Sequence, residues 1–154
     1  MTKHGTHTLD WEFLALTSHY QTAVAIRKAL QEGNVAGATA GLEELIEALS
    51  RSDENALRSQ LIRLIMHIVK WHLQPERRTP SWAASIRSAR REIAELREEF
   101  PRFTRRFIEE RLWQRCLRAG HDEAAIEMNR ERIPEVDLSW DEVFDGIYTL
   151  EQEP

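Results

Sequence analysis

Apolar residues recur every three or four positions near the start of the chain, and this spacing predicts an α-helix from Leu9 to about Gln31. Asp10 is suited to the first turn of this helix, where an acidic side chain is favourable. Gly33-Asn34 follows as a typical helix stop, since both residues tolerate the left-handed backbone conformation. The apolar side chains expected to face inward are Phe13, Leu16, Tyr20, Ala23, Val24 and Leu30.

A second apolar pattern starts near Val35 and keeps its phase across Ser50-Arg51-Ser52-Asp53, a stretch without glycine or proline. One long helix is therefore predicted, although a serine or aspartate within that stretch could cap a fresh start. The helix must end by Gln74, because Pro75 disfavours the helical conformation of the residue before it. Its apolar positions are Leu42, Leu45, Ile46, Leu49, Ala56, Leu57, Leu61, Leu64, Ile65, Ile68 and Trp71.

Two more long helices are predicted after this point. Thr79-Pro80 offers the N-cap and the first helical residue of a third helix. Pro101 is expected to begin a fourth helix, and Gly120 is expected to end it. The apolar residues of the third helix form a heptad-like seam of Trp82, Ile86, Ala89, Ile93, Leu96 and Phe100, and those of the fourth are Phe103, Phe107, Trp113, Cys116 and Leu117.

The remaining elements are short. Asp122 to Arg130 reads as a shorter helix, and Ser139-Trp140-Asp141-Glu142 is typical of a capping box that opens a final turn or two. The sequence carries no strand pattern, internal repeat or low-complexity segment. We therefore predict an all-α fold. It is a helical bundle of about four main helices, one of them long and central, with short C-terminal helices, in a single domain over residues 1–154.

The stretch from Leu61 to Leu73 is apolar over more than half of its helical circumference. A helix of this kind is surrounded by others, so it is expected at the centre of the fold. His72 falls within the apolar arc and is expected to be buried, neutral and held by one hydrogen bond. Because a bundle of few helices does not easily cover so wide an arc, we also expect a homodimer with isologous antiparallel packing.

Composition narrows the class of protein. Hydrophobic residues are 42% and charged residues 31% of the chain, as in ordinary globular domains. The single cysteine, Cys116, excludes an intramolecular disulfide, fits a reducing compartment and reads as a small buried hydrophobe. The first residues lack the apolar core of a secretory signal, and the longest apolar stretch is too short and too charged to span a bilayer. We expect a cytoplasmic protein without membrane contact.

Charge is distributed unevenly along the chain. Residues 76–118 carry twelve arginines and seven glutamates, whereas residues 119–154 carry two arginines and eleven acidic residues. The arginines of the third and fourth helices interleave with glutamates, which is typical of a solvated face with many ion pairs. Nucleic-acid binding through these helices is an alternative hypothesis, but it is disfavoured by the acidic C-terminal region.

The segment from His67 to Trp82 also carries a family resemblance. Together with the residues around it, it resembles the bacterial domain-of-unknown-function family number twenty-nine, and the resemblance runs from about Leu42 onward. The sequence departs from the family at Leu45, where an acidic residue is common, and at Ala38-Thr39-Ala40, where Leu-Asp is usual. The resemblance implies no established activity. It rests on Glu44, Ile46, Glu47, Arg51, Ser52, Leu57, Ser59, Leu61, His67, Lys70, Trp71, Gln74, Pro75, Arg78, Ser81, Trp82, Ile86 and Arg90.

Two groups of polar residues are candidates for function. The first is a corner where the second helix meets the third: His67, Lys70, Trp71, Arg78, Trp82 and Arg91. It reads either as a structural staple, with cations near helix-terminal carbonyls, or as a ligand site. The second is the acidic cluster Glu43, Glu44 and Glu47, which could do acid–base work but is more typical of a solvated face.

No metal or cofactor is expected. His67 and His72 are five residues apart and lie on different faces of a helix, whereas two ligands on one face need spacings of three or four. The leading hypothesis is a non-catalytic bundle that acts through protein–protein contact, as a homodimer or with another protein. The alternatives are an enzyme or small-molecule binder at the corner, and nucleic-acid binding.

Overall fold

The structure is a computed structural model and describes residues 10–150. These residues form seven α-helices and a 3-10 turn, and no β-strand. The predicted all-α fold is confirmed, including one long central helix and short C-terminal helices, while the predicted helix start at Leu9 lies outside the described residues. The helices are α1 (Trp11–Thr17), α2 (His19–Gln31), α3 (Val35–Leu73), the 3-10 turn (Pro75–Arg77), α4 (Pro80–Glu99), α5 (Arg105–Arg111), α6 (Trp113–Glu127) and α7 (Trp140–Phe144).

The long helix α3 is continuous through Ser50-Arg51-Ser52-Asp53, as predicted, and it ends before Pro75. The chain divides into two compact units, one up to Asn55 and one from Ala56 onward. The prediction of a single domain over residues 1–154 stays a prediction. None of the helices in the described part of the chain is long and apolar enough to cross a membrane.

The first unit has a small core. Its buried residues Ile26, Ala29 and Ala38 pack with the partly buried Trp11 and Leu45. Gly41 allows α3 to approach this core, because a Cβ atom at that position would lie 2.7 Å from the Trp11 ring and 2.9 Å from Cγ1 of Ile26. The glycine therefore lets α3 pack directly against Trp11 and Ile26.

The prediction of one continuous first helix is wrong. Ser18 adopts an extended conformation and divides it into α1 and α2. Its hydroxyl oxygen accepts a hydrogen bond from the Gln21 N–H at 3.1 Å, and its own N–H donates to the Leu14 carbonyl at 2.9 Å. A serine side chain that bonds nearby backbone groups competes with the helix in this way.

The inward face predicted for this segment is also wrong. Phe13, Leu16, Tyr20 and Leu30 are more than half exposed, and the buried positions belong to smaller residues such as Ala15 and Thr22. On α3, Leu42, Ile46 and Leu49 are likewise exposed. Large apolar residues mark a core face only when another element covers them, and within the described residues nothing covers these.

The second unit holds the main core. Leu57, Leu61, Leu64, Ile65, Ile68 and Val69 of α3 have no exposed surface, and residues of α4, α5, α6 and the C-terminal region pack around them. The wide apolar arc of Leu61 to Leu73 is thus covered largely by the chain itself. The apolar arc therefore does not require a second copy of the chain to cover it, and the homodimer stays a prediction.

Gly120 does not end a helix, contrary to the prediction. It lies within α6, which runs on to Glu127 and includes most of the predicted separate helix from Asp122. A Cβ atom at position 120 would lie 2.5 Å from Cγ2 of Ile65 and 3.3 Å from the Met66 backbone nitrogen. The glycine thus serves a close approach of α6 to α3.

Of two further predicted helix starts, one is wrong and one is confirmed. The fourth helix does not begin at Pro101, because α5 starts at Arg105, where the Thr104 hydroxyl accepts the Phe107 N–H at 3.1 Å. The predicted helix start at Ser139 is confirmed, since the Ser139 hydroxyl accepts the Glu142 N–H at 3.2 Å. The Glu142 carboxylate accepts a hydrogen bond from the same hydroxyl, whereas in a full capping box it would accept one from the N-cap N–H.

His72 is exposed rather than buried, which corrects the prediction. It lies in the last turn of α3, and its ring meets the edge of Tyr148 with the centroids 5.9 Å apart. The final turn of α3 is covered on one side only, since Lys70 and Trp71 are buried there while His72 is exposed.

The packing at Gly120 gives a stability prediction. Gly120→Ala should lower the free energy of unfolding by up to about 2 kcal/mol, since forcing a methyl group against Ile65 costs roughly 1–3 kcal/mol and the gain in helix propensity returns about 1 kcal/mol. Urea unfolding of the two proteins measures the difference. A variant more stable than the parent by about 1 kcal/mol, the gain in helix propensity alone, would contradict the close approach of α6 to α3.

Candidate functional site

The predicted corner lies where α3 ends and α4 begins. Gln74 leaves the helical conformation before Pro75, and a 3-10 turn reverses the chain. α4 starts as predicted, with the Thr79 hydroxyl accepting the Trp82 N–H at 3.2 Å and Pro80 in its first turn. We call the group brought together here the polar corner, which consists of His67, Lys70, Trp71, Arg78 and Trp82.

Lys70 is the buried cation of the polar corner. It is 7% exposed, and its ammonium group lies 2.5 Å from Oε2 of Glu127 on α6. The same nitrogen stands 4.4 Å from the centroid of the Trp82 ring on α4, a cation–π arrangement. Lys70 therefore joins α3 to both α4 and α6, and its charge is already matched within the chain.

Arg78 closes the end of α3. Its Nε donates to the Trp71 carbonyl at 2.8 Å, and its guanidinium lies 4.8 Å from the centroid of the Trp71 ring. Carbonyls in the last turn of a helix lack a partner in the helix, so this bond satisfies one of them. Trp71 is 4% exposed and meets Tyr148 edge to face at 5.9 Å. These contacts are those of a helix cap built on a packed tryptophan.

His67 is partly buried beside Lys70. Its Nδ1 lies 2.8 Å from the Arg63 carbonyl oxygen, so Nδ1 is protonated and donates a hydrogen bond to that oxygen. Burial is the main cause that lowers the pKa of His67 from 6.5, and the carbonyl bond and nearby Glu127 oppose it. His67 is therefore neutral near pH 7 and holds a structural hydrogen bond.

The sixth predicted member does not join the polar corner. Arg91 is exposed on α4, and within the described residues its side chain makes no hydrogen bond or ion pair. Two neighbours that the sequence reasoning missed are Glu127, which pairs with Lys70, and Tyr148, which packs on Trp71. Both come from distant parts of the chain, and only the acidic C-terminal composition hinted at a carboxylate partner.

Arg90, which matches the family pattern, anchors the C-terminal segment. Its Nε donates to the Val143 carbonyl at 2.9 Å, and its guanidinium lies 5.4 Å from the centroid of the Tyr148 ring. The Tyr148 hydroxyl donates to the Glu142 carbonyl at 2.8 Å, and burial raises the pKa of that hydroxyl. This arginine is thus a structural residue of the second unit.

The predicted acidic cluster lies in the first unit. Glu43 and Glu47 are exposed and Glu44 is partly buried. The Glu47 carboxylate pairs with Arg51 at 3.0 Å on the helix surface. Such an arrangement is typical of a solvated helix face and supplies no desolvated carboxyl group for acid–base work.

Beside these glutamates runs the exposed apolar group of α3. We call it the apolar stripe and define it as Val35, Leu42, Ile46 and Leu49. These side chains are 41% to 64% exposed. At 100° per residue they fall within an arc of about 60°, so they form one narrow line along the helix. The sequence reasoning had counted three of them, Leu42, Ile46 and Leu49, as inward positions.

The α5 ion pairs and Cys116 of the second unit do not form a reactive or ligand-binding site. Arg105 and Arg106 pair with Glu109 and Glu110 at 2.7 and 2.9 Å, which fits the predicted face of interleaved charges. Burial raises the pKa of the Cys116 thiol to about 11, so the thiol is protonated. Within residues 10–150, no group of three or more His, Cys, Asp or Glu side chains is placed to hold a metal ion.

A surface cavity of about 450 Å³ lies between α6 and residues 131–138. His121 at its wall uses both ring nitrogens: Nδ1 donates to the Leu117 carbonyl at 2.7 Å, and Nε2 accepts the Val136 N–H at 3.0 Å. The ring fastens the irregular segment to α6. Sequence reasoning had not singled out this histidine.

The polar corner predicts an asymmetry between its two charges. Glu127→Gln leaves the Lys70 ammonium buried without a counter-charge and should cost about 2 kcal/mol in the free energy of unfolding. Lys70→Met leaves the carboxylate half in water and should cost less than about 1 kcal/mol. Urea unfolding tests the order of the two variants. The control is Glu123→Gln, one turn earlier on α6 and exposed; a reversed order would mean that Lys70 reaches water.

The lowered pKa of His67 predicts a pH dependence of stability. The unfolded chain binds this proton at a higher pH than the folded chain does, so the stability contributed by neutral His67 is complete above pH 6.5 and declines as the pH falls below it. His67→Gln should lose less stability than the parent between pH 7.5 and 5.5, measured by thermal melting. His72→Gln, at an exposed position, serves as the control; identical slopes for His67→Gln and the parent would contradict the shift.

The match with a known family covers both groups of residues. A family model described as domain of unknown function DUF29 matches residues 20–149, which include the apolar stripe and the polar corner. Comparison with curated proteins and with solved structures gave no match. Because the matched range is well over half of the chain, this protein belongs to the DUF29 family.

Proposed function

We propose that this protein is a non-catalytic interaction module that binds another protein through the apolar stripe of its first unit. The observation that carries the proposal is the clustering of exposed apolar residues. Of the eleven large apolar side chains exposed in the described residues, eight lie between Phe13 and Leu49. Isolated exposed apolar residues are normal, whereas grouped ones mark an interaction surface.

The apolar stripe is large enough to form the centre of a specific contact. Each of its four side chains exposes on the order of 100 Å², so together they supply about half of the ~800 Å² that one partner contributes to an interface of standard size. The small buried core of the same unit emphasises the contrast. Eight of its large apolar side chains are exposed, whereas its buried core consists of Ile26 and small residues such as Ala29 and Ala38. This distribution favours a surface that another molecule covers.

The polar corner argues against the catalytic alternative. Lys70 is matched by Glu127, Arg78 by the Trp71 carbonyl, and His67 by the Arg63 carbonyl. A site that binds substrate needs polar groups aimed at open space, and these groups are directed at one another. The paired arginines of α5 argue in the same way against a phosphate-binding track for nucleic acid. The single cysteine, Cys116, is free and buried, which fits a reducing compartment such as the cytoplasm.

A photo-cross-linking amino acid at position 46 tests the proposal. Ile46 is 58% exposed within the stripe, and Ile126 on α6 is 75% exposed and lies outside it, so position 126 is the matched control. In cells of the native host, illumination should give a discrete adduct from position 46 and none from position 126. The absence of an adduct at 46, or equal adducts at both positions, would overturn the proposal.

The mass of the adduct separates the two kinds of partner. An adduct of twice the 18.0 kDa chain mass means a second copy, as the sequence led us to expect, and any other mass means a different protein. Either result supports interaction through the stripe. Both variants should melt within a few degrees of the parent, because neither position is buried.

A further inference from the structure

We propose that the occupant of the apolar stripe is a basic amphipathic helix of another protein. This inference rests on the proposed function and adds the chemistry of the partner. Its first basis is shape. Val35 to Leu49 spans fourteen residue steps, or roughly 21 Å of helix. A straight line of apolar side chains about 60° wide matches one helix lying along it, since helices pack through such ridges.

The area of the stripe points to a partner of this size. Its four side chains expose roughly 400 Å², about half of what each partner contributes to a standard interface. A single amphipathic helix that offers one apolar residue per turn over three or four turns covers a surface of this extent. The segment that binds is thus a helix of ordinary length.

The second basis is charge. Glu43 and Glu47 are exposed, lie one turn apart and run along one flank of the stripe, beside Leu42 and Ile46. Glu47 also pairs with Arg51 at 3.0 Å, but this pair is exposed on the helix surface, where such a contact contributes little and a partner's cation can replace it. Residues 10–55 contain eight acidic and three basic residues, a net charge of −5. Lysine or arginine side chains on the edge of a partner helix can lay their aliphatic stems over the stripe and place their charges at these glutamates.

A second copy of this chain fits the charges less well. In an isologous antiparallel pair each flank of a helix faces the same flank of its partner, so glutamates would meet glutamates across the contact. Like charges placed together across an interface disfavour it. A basic helix replaces this repulsion with attraction while burying the same apolar line, and for this reason the observations favour it.

The test uses the full chain and two synthetic probes. The first is a three-heptad peptide of leucine and lysine with the leucines on one helical face, and the second carries glutamate in place of every lysine. Fluorescence anisotropy should detect binding of the lysine peptide, with an affinity at least about tenfold above that for the glutamate peptide. Its affinity should fall as the salt concentration rises, because the ion pairs become screened.

Variants locate the binding. Glu43→Lys with Glu47→Lys should weaken binding of the lysine peptide about tenfold or more. Glu95→Lys with Glu99→Lys changes the net charge equally at two exposed α4 positions with the same spacing and should leave the affinity unchanged. Ile46→Ser should weaken binding, whereas Ile126→Ser should not.

Several outcomes overturn the inference. Failure of both peptides to bind, equal binding of both, or binding that Ile46→Ser leaves unchanged would each contradict a basic helix on the stripe. A cross-linked adduct at twice the chain mass would also overturn it, while leaving interaction through the stripe intact. Absence of any adduct at position 46 instead removes the proposed function itself, so the two failures are distinct.

Discussion

The constraint on which the second unit depends is the need to cover α3 on all sides. From Leu57 to Val69 this helix presents buried apolar side chains around most of its circumference, and no single neighbour could cover them. α4 supplies a seam of Ala83, Ile86, Ala89 and Ile93, and α6 approaches closely at Gly120. α5 and the C-terminal residues Leu138, Val143 and Tyr148 complete the enclosure. The second unit is organised around one apolar cylinder.

The polar corner follows from where that cylinder ends. A helix terminus brings unpartnered carbonyls to the edge of the core, and polar groups near an apolar interior must find partners there. Arg78 satisfies the Trp71 carbonyl, and Glu127 matches the charge of Lys70. Trp82 contributes a ring face to the same cation. The residues of the polar corner, which the sequence suggested as a functional site, are thus the ones that satisfy the end of a helix at the edge of the core.

Local signals predicted much of the fold. The phase of apolar residues through 50–53 predicted a continuous α3, and Thr79-Pro80 and Ser139 predicted two helix starts, because caps act on backbone groups a few residues away. Two of the failures depended on tertiary contacts. Gly120 looked like a stop because its packing against Ile65 is invisible along the chain, and the exposure of His72 depends on how far neighbours extend around the end of α3.

The candidate site was predictable only in part. Five of the six corner residues come together because they lie within sixteen positions around one reversal of the chain. The partner of Lys70, Glu127, is 57 residues away, so no local pattern could single it out. The apolar stripe was misread as core for a similar reason. Periodicity identifies an apolar face, but it does not show whether another part of the chain covers that face.

The small interior of the first unit has a thermodynamic consequence. Ile26, Ala29 and Ala38 bury little apolar area, so the hydrophobic contribution to the stability of this unit is small. Segments with few buried contacts open most readily in hydrogen exchange. A ligand that binds only the closed form adds to stability in proportion to the logarithm of its concentration. Binding of a partner to the apolar stripe would therefore slow amide exchange in α1 and α2. The rate of exchange in these helices would then depend on the concentration of that partner in the cell.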